Sequence, residues 1–374
     1  MAVTGSLARV AETFATLHGP RDRGDEGGPA PGASFCVVRD GEMVLDLHGG
    51  AHDTDRSWGF DSLGAIASGT KGIAAVAAAM ALERADVSLD APMRLVWPEF
   101  EQAGKVGLTI ADAMAHLGGV PGMPCEWSWD DVRTPGRMAA RLAVETPLVP
   151  MRRPSYHAMT YGWIAGEVVR RVDGSTIGRF VREELAEPLG LDLHIGATPE
   201  AISRVARTVR APDYALGAFA PGTTPDPRLA RVYDERLYLV MGRPDHLDAE
   251  VPAANGVASA RGMAGLYGAL VDRRRGVRRL VTGETLRAAV RERSCGTDPL
   301  TGRLLRFGFG FEINPNPSFL GPSPDAFGHT GAGGSTHGAW PSRGVAWSYV
   351  IREYRPEFND GRATRLLGAL WRAL

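Results

Sequence analysis

The sequence predicts an α+β fold: an antiparallel sheet flanked by N- and C-terminal helices, with a mostly helical subdomain inserted. Three observations predict it. "SFCVVRDGEMVLDLHGG" alternates around a central "DG", the strongest hairpin signal in the chain. "LRFGFGFEI", "AFGHTGAGGSTHGAWP" and "VAWSYVI" read as three strands toward the other end. Between these blocks, residues 90–250 carry helical spacing and irregular loops. The two ends therefore share one sheet. The expected layout is a single domain over 1–374, with an α/β part at about 1–75 and 255–374 and a helical subdomain at about 76–254.

Each element has its own signal. Leu7, Val10, Phe14 and Leu17 share one helical face over residues 6–18. The Gly/Pro-rich "GPRDRGDEGGPAPGA" separates that helix from the hairpin. A second helix opens near Ser68 and runs to about Arg84. "LTIADAMAHLGGVPGM" predicts a helix stopped by Gly118-Gly119, and "TYGWIAGEVVRRVDG" and "TIGRFVREELAEPLGL" predict helices ended by glycine. The proline-bearing 211–250 segment reads as loop with short turns, a candidate lid or acceptor wall. "SARGMAGLYGALVD" and "RATRLLGALWRAL" are the remaining helices.

Composition narrows the function. Of 374 residues 44% are hydrophobic and 23% charged, enough apolar material for a sizeable core. The net charge of -1, with signs interspersed, argues against nucleic acid and against an anionic membrane surface as partner. Cys36, Cys125 and Cys295 lie far apart and form neither a zinc spacing nor a disulfide framework. The run Ile73 to Leu82 is too short to span a bilayer, and "MAVTGSLARVAETFATLHG" reads as an amphipathic helix rather than a signal peptide. These features predict a soluble cytoplasmic protein. "HDTD" (His52, Asp53, Asp55) reads as a solvated turn rather than a metal site.

The chemistry is signalled by a lysine. Only Lys71 and Lys105 are lysines among 42 basic residues. Lys71 stands three residues after Ser68, on the same helical face. A serine hydroxyl is a weak nucleophile until a base takes its proton. A neutral lysine amine can do so; arginine stays protonated. Lysine ordinarily titrates at ~10.4, so neutrality near pH 7 means about 4 to 5 kcal/mol against the charged form, within reach of burial. Ser-x-x-Lys also arises by chance with a solvated lysine, but "GIAAVAAAM" after Lys71 is too apolar for an exposed helix face.

With these residues in place, the chain resembles the serine beta-lactamase and penicillin-binding-protein superfamily. It is most similar to class C beta-lactamases and family VIII carboxylesterases. "SGTK" matches Ser-x-x-Lys, "YHA" (Tyr156, His157, Ala158) falls where class C enzymes have Tyr-x-Asn, and "HTG" (His329, Thr330, Gly331) falls where they have Lys-Thr-Gly. "MAHLGGVPGM", "AEPLGLDLHIG" and "NGVASARGMAGLYGAL" resemble the esterase-type members, and the likeness covers residues 7 to 372. It implies a beta-lactamase/transpeptidase-like fold and a Ser68 acyl-enzyme. Lys71 would share the serine's proton, and Tyr156, as a phenolate beside Lys71, would act as general base and return a proton to the leaving group. The backbone N–H groups of Ser68 and Ala332 would form the oxyanion hole.

His329, Thr330, Gly331, Ala158, Asn255 and Trp340 are the expected substrate contacts, with Trp340, like Trp127 and Trp129, divided between pocket wall and core, and with a simple turn as the alternative for Asn255. His116 and His157 are expected to be structural. Two departures set the substrate class. Ala158 replaces an asparagine that binds the amide side chain of beta-lactams, and His329 replaces a fixed cation for a substrate carboxylate. The expectation is a carboxylesterase acting on small neutral esters. An acyltransferase of the same fold, delivering the acyl group to an amine or alcohol, is the alternative; a beta-lactamase or peptidase ranks below both. No cofactor or metal is required by this chemistry. The partner is a small ester or acyl substrate, and the oligomeric state is not readable.

Overall fold

A computed structural model of the chain describes residues 7–18, 30–214, 226–238, 242–274, 276, 279–314, 319–356 and 360–374. Its main sheet is built from β1 (Ala33–Arg39), β2 (Glu42–Gly49), β3 (Ser294–Thr297), β4 (Leu304–Phe307), β5 (Glu312–Ile313), β6 (Phe327–Gly331), β7 (Ser335–Trp340) and β8 (Val345–Ile351). The order is β2-β1-β8-β7-β6-β5-β4-β3, with each pair antiparallel. The chain ends meet where β1 pairs β8, Ala33 opposite Ile351 and Arg39 opposite Val345. The "DG" at Asp40-Gly41 makes the expected tight turn, with φ of 46° and 72°.

The layering follows from alternation. β8 is buried along its whole length. Its Val345, Trp347, Tyr349 and Ile351 pack with α1 (Ala8–His18) and the C-terminal helix Arg362–Ala373, through Val10, Phe14, Leu366 and Leu370. Ala346 and Val350 point the other way, toward α2 (Thr70–Arg84) and the helix Ala260–Val271. Residues Thr70 to Leu82 of α2 are all buried, so this helix lies inside the molecule, and its alanines let neighbouring elements approach closely. A small antiparallel sheet (Gly64–Ala65, Val257–Ala258, Leu193–His194) joins the chain before Ser68 to the helical part.

Several elements differ from expectation, for local reasons. "LRFGFGFEI" splits into β4 and β5 around Gly310, whose φ is 75°. "AFGHTGAGGSTHGAWP" is the β6–β7 hairpin, turned at Gly333 and Gly334, with φ of 85° and 108°. The helix expected from "LTIADAMAHLGG" spans only Ile110–Met114. It opens on a Thr109–Asp112 capping box and ends before His116, which takes a left-handed φ of 63°. β3, in the polar "SCGT", carried no readable strand signal. Of the Pro-rich 211–250 segment, the candidate lid or acceptor wall, residues 215–225 and 239–241 lie outside the described residues; the rest is loop with short helical turns at Leu229–Val232, Glu235–Tyr238 and Pro244–His246. Among the described residues no helix is long and apolar enough to cross a membrane.

Candidate active site

Ser68 sits in a one-turn 3-10 segment, Ala67–Gly69, that runs directly into α2. Ala67 before it has φ 45°, a left-handed conformation that costs a non-glycine residue roughly 1–2 kcal/mol. The turn is braced from several sides. Ile66 N–H donates to the Gly256 carbonyl (3.0 Å), Gly256 N–H donates to Thr70 Oγ1 (2.9 Å), and Thr70 Oγ1 donates to the Ala67 carbonyl (2.6 Å). Ser68 itself is partly exposed at the start of a fifteen-residue helix, where the positive end of the helix dipole lies.

Lys71, one turn further in, is fully buried. Its Nζ donates to the carbonyls of Ala158 (2.8 Å) and Ala253 (2.8 Å) and lies 3.1 Å from Ser68 Oγ. Burial holds its pKa well below the usual 10.5, against the opposing pull of Glu312. A neutral amine has two N–H bonds and one lone pair. With both N–H bonds on carbonyls, the lone pair is left for the Ser68 hydroxyl.

Tyr156 comes from a loop of the helical part. Its ring lies 4.9 Å from Lys71 Nζ, and Ser68 is the side-chain hydrogen-bonding neighbour of its phenol. Burial of the phenol pushes its pKa well above 10. The loop is fixed by buried histidines. His157 N–H donates to His116 Nδ1 (3.0 Å), and Val120 N–H donates to His157 Nε2 (3.2 Å). A backbone N–H can only donate, so these ring nitrogens carry no proton and both rings are neutral. Burial holds His116 well below its ordinary pKa and His157 down at about 4.

The opposite wall is β6 with its turn. Gly331 is pressed onto the nucleophile turn: a Cβ there would lie 2.4 Å from the Ile66 carbonyl oxygen and 2.2 Å from Ser335 Oγ. Ala332 follows directly. His329 is fully buried, its Nδ1–H donates to the Thr330 carbonyl (2.7 Å), and burial lowers its pKa to about 3. It is a neutral ring. Thr330 gives its N–H (3.0 Å) and its hydroxyl (2.8 Å) to the Glu312 carboxylate on β5. Burial raises the Glu312 pKa against those hydrogen bonds and the Arg303 guanidinium.

The structure thus brings together Ser68, Lys71, Tyr156 and the β6 strand with Ala332. Two expected contacts lie elsewhere. Trp340 is fully buried on the far face of the sheet, packed on Trp347 and Trp371, with its indole N–H on the Leu320 carbonyl (2.9 Å). Asn255 spends its amide on the His246 (2.8 Å) and Ala249 (3.1 Å) carbonyls, so it shapes the loop that carries Ala253 and Gly256. Ala158 is buried and contributes its carbonyl rather than its methyl. Trp127 is buried, with its N–H on Asp234 (3.0 Å). The "HDTD" run is a turn in which Asp53 accepts from the N–H groups of Asp55 and Arg56. Sequence reasoning missed the Ala253 carbonyl, because backbone acceptors leave no residue-type signal. It also missed Glu312, a lone carboxylate in an apolar strand.

Comparison with known proteins agrees with this architecture. The sequence profile of the beta-lactamase family matches residues 21–370. The esterase/beta-lactamase LipL of Mycobacterium tuberculosis is 34% identical over 363 residues, covering 92% of this chain and 80% of that protein. A penicillin-binding-protein homologue from Caulobacter crescentus superposes with a TM-score of 0.88 at 35% identity, covering 100% of this chain and 99% of that one. A family VIII carboxylesterase gives a TM-score of 0.87 at 30% identity, covering 99% and 98%.

Proposed function

Because the chain belongs to the beta-lactamase family and is a serine hydrolase of that family, we propose that it is a carboxylesterase acting on small neutral esters through a Ser68 acyl-enzyme. The observation that carries this reading is the buried Lys71 amine, 3.1 Å from Ser68 Oγ with two carbonyls holding its N–H bonds. Lys71 takes the Ser68 proton as Oγ attacks the ester carbonyl. The oxyanion accepts from the Ser68 and Ala332 N–H groups, each donor being worth about 3 to 4 kcal/mol. Tyr156 gives its phenol proton to the departing alkoxide as the C–O bond breaks, and the Lys71 ammonium restores that proton. Water then attacks the acyl-enzyme and passes a proton to Lys71. Ser68 Oγ leaves, recovers the proton, and the carboxylic acid departs. The chemistry uses no cofactor.

Neutral esters are favoured by what lines β6. His329 is uncharged, and the Thr330 hydroxyl is committed to Glu312. This strand offers a substrate carboxylate neither a cation nor that hydroxyl's proton. Ala158 supplies no amide to a lactam side chain. The name of the family VIII carboxylesterase supports ester cleavage, and that of LipL pairs esterase with beta-lactamase.

The test compares turnover of p-nitrophenyl butyrate and nitrocefin, with Ser68→Ala as control and products read by mass spectrometry with and without a primary amine. Ester turnover well above nitrocefin turnover, free acid as product and loss of both in the variant are expected. Comparable nitrocefin turnover overturns the ester preference. An amide formed only by active enzyme moves the protein to the acyltransferases.

A further inference from the structure

We propose that Asp298 is a positioning residue for Tyr156: its buried carboxylate, carried on the turn between β3 and β4, holds the Ser155–Tyr156 backbone and so sets the phenol over Ser68 and Lys71. The proposal rests on the role given to Tyr156 above.

Asp298 is 1% exposed. Its Oδ2 accepts the Tyr156 N–H (3.0 Å), and its Oδ1 accepts the Ser155 hydroxyl (3.2 Å) and the Leu300 N–H (2.9 Å). A carboxylate removed from water is tolerated only with such donors, and charge-assisted bonds of this kind are the stronger ones. The turn that presents it is closed on itself. Asp298 N–H donates to the Arg303 carbonyl (2.8 Å), and Gly302 N–H donates to the Asp298 carbonyl (2.9 Å).

The same hairpin also packs the ring. β4 ends in Phe307, stacked on Tyr156 with centroids 6.0 Å apart, and the His116 ring, in edge contact with Phe307, lies 4.9 Å from the Tyr156 ring. Three successive N–H groups of the loop go to fixed acceptors outside it: Ser155 to the His116 carbonyl (3.2 Å), Tyr156 to Asp298 and His157 to His116 Nδ1. Of these acceptors, Asp298 alone holds the catalytic residue's own backbone N–H. It comes from a segment 142 positions away, so the hairpin ties the sheet to the helical part at the point where the phenol must be placed.

The experiment is a double-mutant cycle on an alkyl ester, with kcat, KM, melting temperature and Ser68 labelling by a fluorophosphonate measured for each variant. Asp298→Ala should lower kcat about 100-fold, the effect of a displacement near 1 Å, with KM little changed. Asp298→Asn, of the same shape but short of one acceptor, should lie between wild type and Asp298→Ala. In a Tyr156→Phe background the same changes at 298 should cost almost nothing, because the group being positioned is gone. Equal losses in both backgrounds overturn the proposal, as does wild-type kcat in a folded Asp298→Asn. If Tyr156→Phe alone leaves alkyl-ester turnover intact, or wild-type Ser68 is not labelled, the functional reading itself falls instead.

Discussion

Gly331 offers the sharpest test of the idea that β6 and the nucleophile turn form one unit. A Cβ at 331 would sit 2.4 Å from the Ile66 carbonyl oxygen, whereas ordinary contacts begin at 3.4 Å. Gly331→Ala therefore requires strand and turn to part by about 1 Å. The backbone conformation is not the obstacle, since Gly331 is not among the residues with left-handed φ. The clash falls between Ile66, two residues before the nucleophile, and Gly331, one residue before Ala332, so it separates the two proposed oxyanion donors. Misplacement near 1 Å costs about 100-fold, and loss of an oxyanion donor costs about 10²- to 10³-fold. Overpacking adds roughly 1–3 kcal/mol of destabilisation, so the protein should remain folded with a melting temperature a few degrees lower. The assay is p-nitrophenyl butyrate turnover beside a thermal melt. Gly361→Ala is the control, because its Cβ would meet nothing closer than Arg365 Nε at 3.6 Å. A folded Gly331→Ala enzyme with near wild-type kcat would refute the geometry.

Three further outcomes are expected. Lys71→Arg should lower kcat by about 10²- to 10⁴-fold, since a guanidinium cannot accept the Ser68 proton; a burst assay with wild-type amplitude and rate would contradict this. Activity needs Lys71 unprotonated, so kcat/KM should fall as pH falls through the lysine's pKa, well below the ordinary 10.5, and Tyr156 should lose its proton only above the ordinary 10.0. A pH–rate profile that failed to reach its plateau until lysine's ordinary range would refute the neutral buried amine on which the mechanism depends. Asn255→Ala should cost about 1–3 kcal/mol by stripping the His246 and Ala249 carbonyls of their donor, and leave KM unchanged; a raised KM with an unchanged melt would return Asn255 to the substrate.

What was legible in the sequence followed from side-chain type and period. The hairpin around Asp40-Gly41, the buried "VAWSYVI" strand and the all-apolar helix after Lys71 each carry a pattern that physics ties to one structure. Ser68 and Lys71 were legible because a rare lysine preceded a dry helix. Tyr156, "HTG" and Ala332 were legible through the family resemblance, whereas the Ala253 carbonyl and the Asp298 contacts were not legible, because they are backbone or register. Ala253 acts through a carbonyl, and Asp298 through the Tyr156 N–H and the Ser155 hydroxyl, 142 and 143 positions away. Trp340 could be read as pocket wall or as core, and residue type alone does not decide between them. Its place at the end of β7, on the face toward α1, is set by the strand's alternation, and that depends on where the hairpin turns.

The roles of Lys71 and Tyr156 can be separated by the leaving group. A phenolate beside an ammonium would place two charges in a dry site, and each buried ion costs several kcal/mol before their mutual attraction repays any of it. Burial acts on the two groups in opposite senses, lowering the lysine and raising the tyrosine, so both favour the neutral pair. A neutral phenol is an acid, and an acid is needed only when the departing oxygen is a poor leaving group. Tyr156→Phe should therefore leave the acylation burst with p-nitrophenyl butyrate nearly intact, because p-nitrophenolate departs without a proton. The same variant should lose about 10²- to 10⁴-fold on an alkyl ester, whose alkoxide must be protonated as it leaves. If Tyr156 were instead the base that deprotonates Ser68, both substrates would lose acylation equally. Rapid-mixing measurement of the burst rate on the activated ester, beside steady-state hydrolysis of the alkyl ester, distinguishes the two assignments.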